Sequence, residues 1–426
     1  MKITIHRGSC QIGGCITEYE HNGFRLFVDY GDPLTGPMPC GTPVIEGLNH
    51  GDLSRSALLI THYHADHISR VHELDDSIPI YMGKVAIDIM TVQAEHMVHA
   101  GGSEGERHRL LAEKLKKANT FIPARTFKLG PFKIKPVNVD HSAFDAYAFL
   151  IKAGGQSVFH TGDFRTHGFR SGRFDEMIEK HIGHVDCVVC EATHASSPWE
   201  AHQTERELQQ ECEETFRQNP YCIIYTGTTN IDRLFGLYHA ARRAGRVFLI
   251  DKHQEAVMQA IMQPECIWTK SNLFQFKWPK PLVLRSKRGD FMVSKELRAT
   301  TLTERGYVFI ARVNPRFNEL IRLLPGEKKR YLSMWEGYID PANPSYNPGM
   351  AKALGEDFAL LHTSGHCSME ALENLFTMTT PRAIIPIHTD APAEFEARFA
   401  PRWPVRLVGD GGSLDLSTLP PPISEP

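Results

Sequence analysis

The chain has 426 residues, of which 42% are hydrophobic, 9% aromatic and 23% charged, which is typical of a globular protein large enough for two domains. Its net charge of −3 argues against binding of polyanions through overall charge alone. No stretch approaches about eighteen consecutive apolar residues, and the start alternates like a β-strand, so we expect neither a membrane span nor an export signal.

The nine cysteines are scattered and odd in number, unlike a disulfide framework, which favours a reducing, cytoplasmic location. Cys187 and Cys190 form a C-x-x-C pair within an apolar, strand-like run that has no second pair nearby. We therefore expect these two thiols to be buried and to bind no metal.

The N-terminal region begins with strands and continues with helical spacing. Residues 2–6, 15–20 and 24–29 are β-rich runs separated by Gly and Asn turn signals, and residues 83–97 and 106–117 have the spacing of helices. Strands followed by covering helices predict a layered α/β fold.

Between these regions, the apolar run 57–60 leads into Thr-His-Tyr-His-Ala-Asp-His at 61–67. Imidazole nitrogens and carboxylate oxygens are ligands for Zn²⁺ and similar ions. His62 and His64, two apart on an extended segment, can grip one ion, and Asp66 and His67 can reach a second. The alternative is a set of solvent-facing histidines in a polar loop, but four ligand types in this order weigh against chance.

Later apolar strands also end in polar residues of the ligand type. The residues that follow such strands are Asp140, His141, Asp163, Glu191, His362 and His388. A lone His141 would more often be a satisfied core histidine, but membership of this set favours a metal ligand. Seven ligands, His62, His64, Asp66, His67, His141, Asp163 and His388, suit two ions.

After Glu191 the pattern changes, and Thr204 with Glu207 has the spacing of a capping box at a helix start. Strand and helix patterns over residues 222–251 predict βα units of a parallel, inserted sheet. We expect a first domain at 1–192 and 355–426, interrupted by a second domain at 193–354. A final strand-like stretch is expected at 405–408 and 414–416.

Residues 277–330 contain 14 Lys or Arg and 5 Asp or Glu, a local charge of +9 that leaves −12 for the rest of the chain. A charge run is usually a solvated face, but this one is strong enough to attract a polyanion. Arg285, Lys287 and Arg288 are the candidate contacts. Ser368 can cap a further helix whose start, near Ser364, suits a phosphate.

Together these motifs resemble a known family. THYHADH is similar to the signature of the metallo-β-lactamase fold, and HTSGH at 362–366, IPIHTD at 385–390, HTGDFR at 160–165 and EAT at 191–193 resemble the β-CASP nucleases, most closely the ribonucleases J. The resemblance covers nearly the whole chain. It implies an αββα metallo-β-lactamase sandwich with an inserted α/β β-CASP domain.

The resemblance also implies roles for the site residues. His62, His64 and His141 would hold one ion, Asp66, His67 and His388 the other, and Asp163 would bridge two Zn²⁺ ions, or Mn²⁺ in place of one or both. Asp66, Glu191 and His366 would be catalytic, since an imidazole held by a carboxylate can deliver a proton to the departing oxygen. His362 and Ser364 would hold a phosphate, and Asp29 would support the metals from behind.

The function that this resemblance implies is hydrolysis of single-stranded RNA, as an exonuclease, an endonuclease or both. A DNA nuclease of the repair branch is the first alternative, although that branch tends to carry valine where this chain has His388. A non-catalytic scaffold would have lost ligands, and a small-molecule hydrolase would leave the basic segment unexplained. The chain is expected to lack the additional C-terminal domain of the ribonucleases J, which leaves its oligomeric state open, and residues 331–338 depart from the family's glycine-rich pattern.

Overall fold

The computed structural model describes residues 1–34, 41, 43–197, 202–262, 276, 282–287, 290–292 and 299–420. The chain forms two compact units, a first unit of residues 1–202 and 365–426 and a second unit of residues 203–364. Both junctions lie ten residues later than the expected ones. Among the described residues, no helix has the length and apolar character needed to cross a membrane.

The strands follow the chain in this order. They are β1 Lys2–Arg7, β2 Ile16–His21, β3 Phe24–Val28, β4 Ser56–Leu59, β5 Ile80–Met82, β6 Asn119–Thr120, β7 Phe127–Leu129, β8 Phe132–Val139, β9 Ala146–Ala153, β10 Gln156–His160, β11 Cys187–Glu191, β12 Tyr221–Tyr225, β13 Val247–Asp251, β14 Leu282–Lys287, β15 Asp290–Met292, β16 Tyr307–Ala311, β17 Lys329–Leu332, β18 Phe358–Leu360, β19 Ala383–Ile387 and β20 Gly412–Asp415.

The helices are interspersed with these strands. They are α1 Ala65–Ile68, α2 Lys84–Met97, α3 Gly102–Lys117, α4 Phe174–His181, α5 Glu205–Gln218, α6 Ile231–Arg243, α7 Lys252–Ile261, α8 Ala299–Arg305, α9 Pro315–Leu323, α10 Pro348–Leu354, α11 Met369–Thr379 and α12 Pro392–Phe399.

The first unit is an αββα sandwich. One sheet has the order β20-β1-β2-β3-β4-β5-β6 and the other β19-β11-β10-β9-β8-β7. Apolar residues from both sheets, such as Leu26 and Phe149, form one core. A second core lies between the sheet that begins with β19 and the helices α4, α11 and α12. Helices α2 and α3 pack together in the other helical layer. The layered α/β prediction is confirmed.

Strand geometry explains why the two cysteines of the C-x-x-C pair lie in separate cores. Cys187 and Cys190 are three apart on β11, so their side chains point to opposite faces of the sheet. Cys187 lies in the core between the sheets and Cys190 in the core beneath the helices, and both are fully buried. Burial raises the pKa of both thiols, which keeps them protonated.

The second unit is built on one sheet with the order β15-β14-β13-β16-β12-β17-β18. All its described pairings are parallel except that of β14 with β15. The predicted capping box is present, because Thr204 accepts from the Glu207 N–H while the Glu207 side chain accepts from the Thr204 N–H. Helix α5 therefore begins where the sequence places its cap. The strands bury near-continuous apolar runs, as parallel strands do.

The strand expected at 405–408 was wrong. The chain there makes one isolated bridge, between Ile384 and Val405, and the Arg406 N–H donates to the Ile384 carbonyl at 2.8 Å. Val405 is buried while Leu407 is 43% exposed, so the run contributes to the core without continuing the pairing that a strand needs. The expected run at 414–416 is instead β20, which pairs with β1 in the other sheet.

Candidate metal centre

The motif at 61–67 follows β4, a fully buried strand that pairs in parallel with β3 and β5. Asp29, directly after β3, holds this loop with both carboxylate oxygens. One oxygen accepts from the Thr61 N–H at 2.8 Å, and the other accepts from the Thr61 hydroxyl at 2.8 Å and lies 2.8 Å from His67 Nδ1. Asp29 therefore orients the His67 ring from behind, and it has a left-handed backbone with φ of 64°.

Two glycines allow the backbone to approach Asp66. A Cβ on Gly31 would lie 2.1 Å from the Asp66 carbonyl carbon, and one on Gly13, at φ of +75°, would lie 2.6 Å from the Asp66 Cβ. The Gly14 N–H donates to the Asp66 carbonyl at 3.0 Å. The glycines at 13 and 14 therefore pack against the motif from a loop about fifty residues earlier in the chain.

Three histidines form the first group of ligand atoms. The nitrogens of His62, His64 and His141 all lie within 4.8 Å of one another. The Nδ1 of His141 lies 2.6 Å from the Gly365 carbonyl, to which it can only donate, so the Nε2 of His141 is left as an acceptor 3.1 Å from His64 Nδ1. Outer partners of this kind fix the tautomer of a metal-ligating histidine.

Asp66, His67, Asp163 and His388 form a second group with the same spacing. One oxygen of Asp163 stands at its centre. It lies 3.2 Å from His67 Nε2, 3.5 Å from His388 Nε2, 3.8 Å from His62 Nε2 and 4.0 Å from His141 Nε2. A single carboxylate thus faces imidazoles from both groups.

The cluster fits divalent cations. The Nε2 atom of His62 is buried and has no hydrogen-bond partner, a state that costs about 1–3 kcal/mol when nothing binds. Burial and the neighbouring imidazoles hold the pKa of His62 and His141 well below the usual range, and burial lowers the pKa of His64 to about 4. These three rings are therefore neutral, as metal ligation requires. Burial lowers the pKa of His67, but the neighbouring carboxylates outweigh it and raise the pKa well above its usual value, so this ring would have to lose a proton when a cation binds.

Glu191, Thr193 and His366 adjoin this cluster. His366 Nδ1 lies 3.0 Å from one Glu191 oxygen, and the other Glu191 oxygen accepts from the Phe164 N–H at 2.8 Å. Burial lowers the pKa of His366, but the Glu191 and Asp163 carboxylates outweigh it and raise the pKa to about 9. The structure also groups Asp163, Glu191, His366 and His388 as a possible ligand set, so geometry alone allows His366 a ligand role.

Sequence reasoning missed the hydroxyl that links these residues. Thr193 Oγ1 donates to Glu191 at 2.8 Å and lies 2.9 Å from His388 Nδ1 and 3.2 Å from His366 Nδ1. Its place two residues after Glu191, beyond the end of β11, is the signal that could have identified it, because both side chains emerge at the same strand end.

A row of imidazoles leading away from His366 was also missed. Ring centroids are 6.2 Å apart for His366 and His194, 4.6 Å for His194 and His202, and 5.0 Å for His202 and His167. These histidines come from three separate loops of the first unit, so their spacing in the sequence does not predict that they form a row.

The predicted substrate contacts belong to the second unit and are described separately. His362 and Ser364 are half-buried after β18. Arg285 and Lys287 lie in β14, and Arg288 lies outside the described residues.

Several other cations of the 277–330 segment have partners within the second unit. Arg312 pairs with Asp251, Lys329 lies 2.8 Å from Asp357, and Arg305 donates to the Gly245 carbonyl. Part of the +9 charge is therefore engaged in scaffold contacts.

Comparisons with known proteins agree with this geometry. Residues 48–217 match the family model described as a beta-lactamase superfamily domain. The chain is 24% identical to the ribonuclease J of Sinorhizobium meliloti over 88% of this chain and 65% of that protein, and 24% identical to the ribonuclease J of Mycobacterium tuberculosis over 98% and 75%. The chain thus spans about two thirds to three quarters of the length of these relatives.

One solved structure has the same fold over nearly the whole chain. A protein of unknown function from Enterococcus faecalis superposes with a TM-score of 0.72, covering 97% of this chain and 99% of that one at 19% identity.

Proposed function

Because the chain carries a metallo-β-lactamase domain and is similar to ribonuclease J over most of its length, we propose that it is a two-metal phosphodiesterase that hydrolyses RNA. The observation that carries the proposal is the position of Asp163, whose one oxygen lies within 4.0 Å of imidazole nitrogens from both ligand groups. A bridging carboxylate between two ions needs such a position.

In this proposal, His62, His64 and His141 would hold one ion, Asp66, His67 and His388 would hold the other, and Asp163 would be a ligand of both. Two zinc ions, or manganese in place of one or both, suit this mixture of imidazole and carboxylate ligands. When bound, the ions would polarise the attacking water and offset the negative charge that grows on the phosphoryl oxygens. Asp29 and the Gly365 carbonyl keep the rings of His67 and His141 oriented.

His366 is the proposed proton donor. Glu191 holds its Nδ1 at 3.0 Å and favours the protonated ring, so the Nε2–H is the proton that can pass to the departing ribose oxygen. Glu191 is itself fixed by the Phe164 N–H and the Thr193 hydroxyl. His362 and Ser364 would hold a backbone phosphate of the substrate.

Single-stranded RNA is the proposed substrate because the named relatives are ribonucleases J and because His388 is present where the DNA-repair branch tends to carry valine.

The seven cysteines among the described residues are all free thiols, which supports the proposal of a reducing, cytoplasmic compartment.

The test combines metal analysis with a matched set of substrates. Protein that has never met a chelator should contain about two equivalents of zinc or manganese. It should degrade RNA with a 5′-monophosphate, a 5′-triphosphate or a circular form at rates that reveal exonuclease or endonuclease action, and leave DNA of the same sequence intact. One equivalent of metal or fewer, or equal cleavage of DNA, would contradict the proposal.

A further inference from the structure

Trp335, in the second unit, is the only aromatic side chain among the six large apolar side chains that are exposed in the described part of the chain. It is 46% exposed and lies between β17 and a single helical turn, Glu336–Tyr338. This stretch, 331–338, is the one that departs from the glycine-rich pattern of the resembling family. The exposed indole is therefore a feature of this chain's own sequence.

The indole ring is held against the backbone of Gly337. A Cβ built on Gly337 would lie within 2.5 Å of the ring atoms Cη2, Cζ2 and Cζ3. Since three adjacent ring atoms are at nearly equal distances, Gly337 lies over the plane of the ring and not beside its edge. The Tyr338 ring meets the indole at 78°, with centroids 5.8 Å apart. With one face covered in this way, an exposed fraction near one half leaves the opposite face open to solvent.

The backbone that leads to Trp335 is tied to the strands on both sides. Ser333 directly follows β17, which pairs in parallel with β12 and β18. The Ser333 N–H donates to the Tyr225 carbonyl at 2.8 Å. The Ser333 hydroxyl accepts from Arg233 Nη1 at 2.8 Å and donates to the Leu361 carbonyl at 2.6 Å. Because the segment is already fixed, a ligand that contacts the ring loses little free energy in ordering it.

The ring lies at the edge of the sheet where the parallel strands have their carboxyl ends, which is the edge where open α/β sheets bind ligands. The neighbouring strand β18 ends at the same edge and leads to His362 and Ser364, to which the proposed function assigns a backbone phosphate. Every nucleotide carries a base beside its phosphate, so a strand held there brings its bases past the loop after β17. Glu336 is exposed next to the ring, and its carboxylate disfavours a second phosphate at this place.

We propose that Trp335 is a stacking platform for one base of the single-stranded RNA. The identity of the nucleic acid rests on the proposed function, whereas the shape of the site rests on contacts within the second unit. Every base has a π-face, so an indole can hold the strand at this point without reading its sequence. The support from Gly337 and the open opposite face provide the rigid, accessible surface that stacking requires.

The first test measures the affinity of the full-length, metal-loaded protein for a short single-stranded RNA with phosphorothioate linkages, which resist hydrolysis. Trp335→Ala should weaken binding about tenfold, which corresponds to about 1.4 kcal/mol. Trp335→Phe should keep most of the affinity, because a smaller aromatic ring still stacks. Trp335→Leu keeps apolar area without a π-face, so it should bind as weakly as Trp335→Ala. Equal affinity of the Leu and Phe variants would overturn stacking as the cause.

Leu323→Ala is the matched control. Leu323 is 39% exposed and is the last residue of α9, the helix that leads back from the carboxyl end of β16 to the start of β17. It therefore belongs to the same unit but lies at the opposite edge of the sheet from Trp335. This variant should bind RNA with the affinity of the unaltered protein. Equal losses in Leu323→Ala and Trp335→Ala would reduce the effect to exposed apolar area and overturn the proposal.

Removing single bases from the RNA identifies the one that stacks. At one abasic position the unaltered protein should lose about tenfold in affinity, and Trp335→Ala should lose almost nothing further there, because ring and base contribute only together. Additive losses at every position would overturn the contact. Gly337→Ala keeps the indole but places a methyl group within 2.5 Å of three ring atoms, so the ring must move and affinity should fall. Unchanged affinity in Gly337→Ala would overturn the role of the support.

The outcomes separate this inference from the proposed function. Hydrolysis of RNA by a protein whose RNA affinity does not depend on Trp335 would overturn the inference alone. Weaker binding by Trp335→Ala in a protein that hydrolyses no RNA would overturn the proposed function and support the stacking site. An oligomer that dissociates in Trp335→Ala, with RNA affinity unchanged, would assign the indole face to a second copy of the chain and overturn the proposal.

Discussion

Two buried polar clusters, one in each unit, differ in how fully their atoms are paired. In the first unit, the Nε2 atom of His62 is buried without a hydrogen-bond partner, 3.8 Å from the Asp163 carboxylate. In the second, Nε, Nη1 and Nη2 of Arg233 all donate, and Glu205 accepts with both oxygens. An unpaired imidazole nitrogen beside a carboxylate and other imidazoles can take a cation, whereas a completed network belongs to the scaffold.

This contrast has an energetic consequence. Removing one partner of a completed buried ion pair strands the other charge, which typically costs about 3–5 kcal/mol of stability. Removing a carboxylate from the metal cluster removes what the cluster binds, and an imidazole that loses this partner can give up its proton instead of remaining a buried, unpaired charge. Substitutions in the first unit's cluster should therefore separate activity from stability.

The largest effect is expected from Asp163→Ala, because one oxygen of Asp163 faces nitrogens from both ligand groups. Hydrolysis of RNA should fall by at least about a thousandfold, beyond the usual loss of one preorganised electrostatic group. Thermal unfolding of the metal-free protein should change little. The measurements are single-turnover cleavage, metal content and calorimetry of the metal-free form.

Asp145→Ala is the matched control in the same unit. Asp145 accepts from the Val85 and Ala86 N–H groups at the start of α2, and its φ of 63° strains an alanine. This variant should lose about 1–2 kcal/mol or more of stability, the scale of a lost helix cap, and keep its rate within about threefold. Retained turnover in Asp163→Ala would eliminate its bridging role, and equal loss of rate in both variants would point to damage of the fold.

The next effect concerns His366, which lies beside the cluster but is proposed as a proton donor. His366→Ala should slow cleavage by roughly a hundredfold, the usual scale for a positioned acid, with metal content unchanged. Glu191→Gln should cause part of the same loss, because the amide no longer stabilises the protonated ring that Glu191 contacts at 3.0 Å. Metal content that falls with the rate would make His366 a ligand, as the third ligand grouping allows.

Sequence patterns predicted the features that depend only on neighbouring residues, namely ligand residues at strand ends and helix caps. A buried strand followed by a ligand residue recurs at His62, Asp163 and His388, so these positions follow from strand periodicity and residue type. The caps at Thr204 and Ser368 follow from local side-chain chemistry in the same way.

Partners brought together by the fold could not be predicted. The Gly365 carbonyl that orients His141 comes from 224 positions away, and the contact of Arg233 with His362 spans 129. The apolar run at 405–408 had the right spacing and lies beside the edge strand β19, but it makes only one isolated bridge there, between Ile384 and Val405. Pairing depends on what the rest of the chain places next to a segment, and spacing alone does not contain that information.

The basic segment contains both cations that pair within the protein and cations that we propose to contact the substrate. Arg312 and Lys329 already pair with Asp251 and Asp357, so charge-counting overstates the cations available to a ligand. Arg285 and Lys287 lie in β14, which pairs with β13 and with β15 at the end of the sheet. The sequence interpretation assigns them, with Arg288, to the phosphate backbone of the substrate.

The smallest predicted effect is therefore on binding alone. Each phosphate contact releases counterions, so log affinity should fall with log salt by about 0.7 per contact on single strands. Four or five contacts give a slope of about −3. Reversing Arg285, Lys287 and Arg288 to Glu should flatten the slope by about 2 and weaken binding to all RNA sequences alike, with hydrolysis of bis-p-nitrophenyl phosphate nearly unchanged.

A charge-matched control exists in the first unit. Lys128, Lys133 and Lys152 are exposed and lie opposite one another on β7, β8 and β9. Replacing them with Glu changes the net charge by the same amount as the Arg285, Lys287 and Arg288 replacement. It also leaves three like charges side by side, as before, so the repulsion within the sheet should not change. RNA affinity and salt slope should stay near those of the unaltered protein in this control. If both triple variants flatten the slope equally, net charge and not the 277–330 segment steers RNA. If neither does, the segment is a solvated face, and the contacts that hold the RNA backbone lie on other residues.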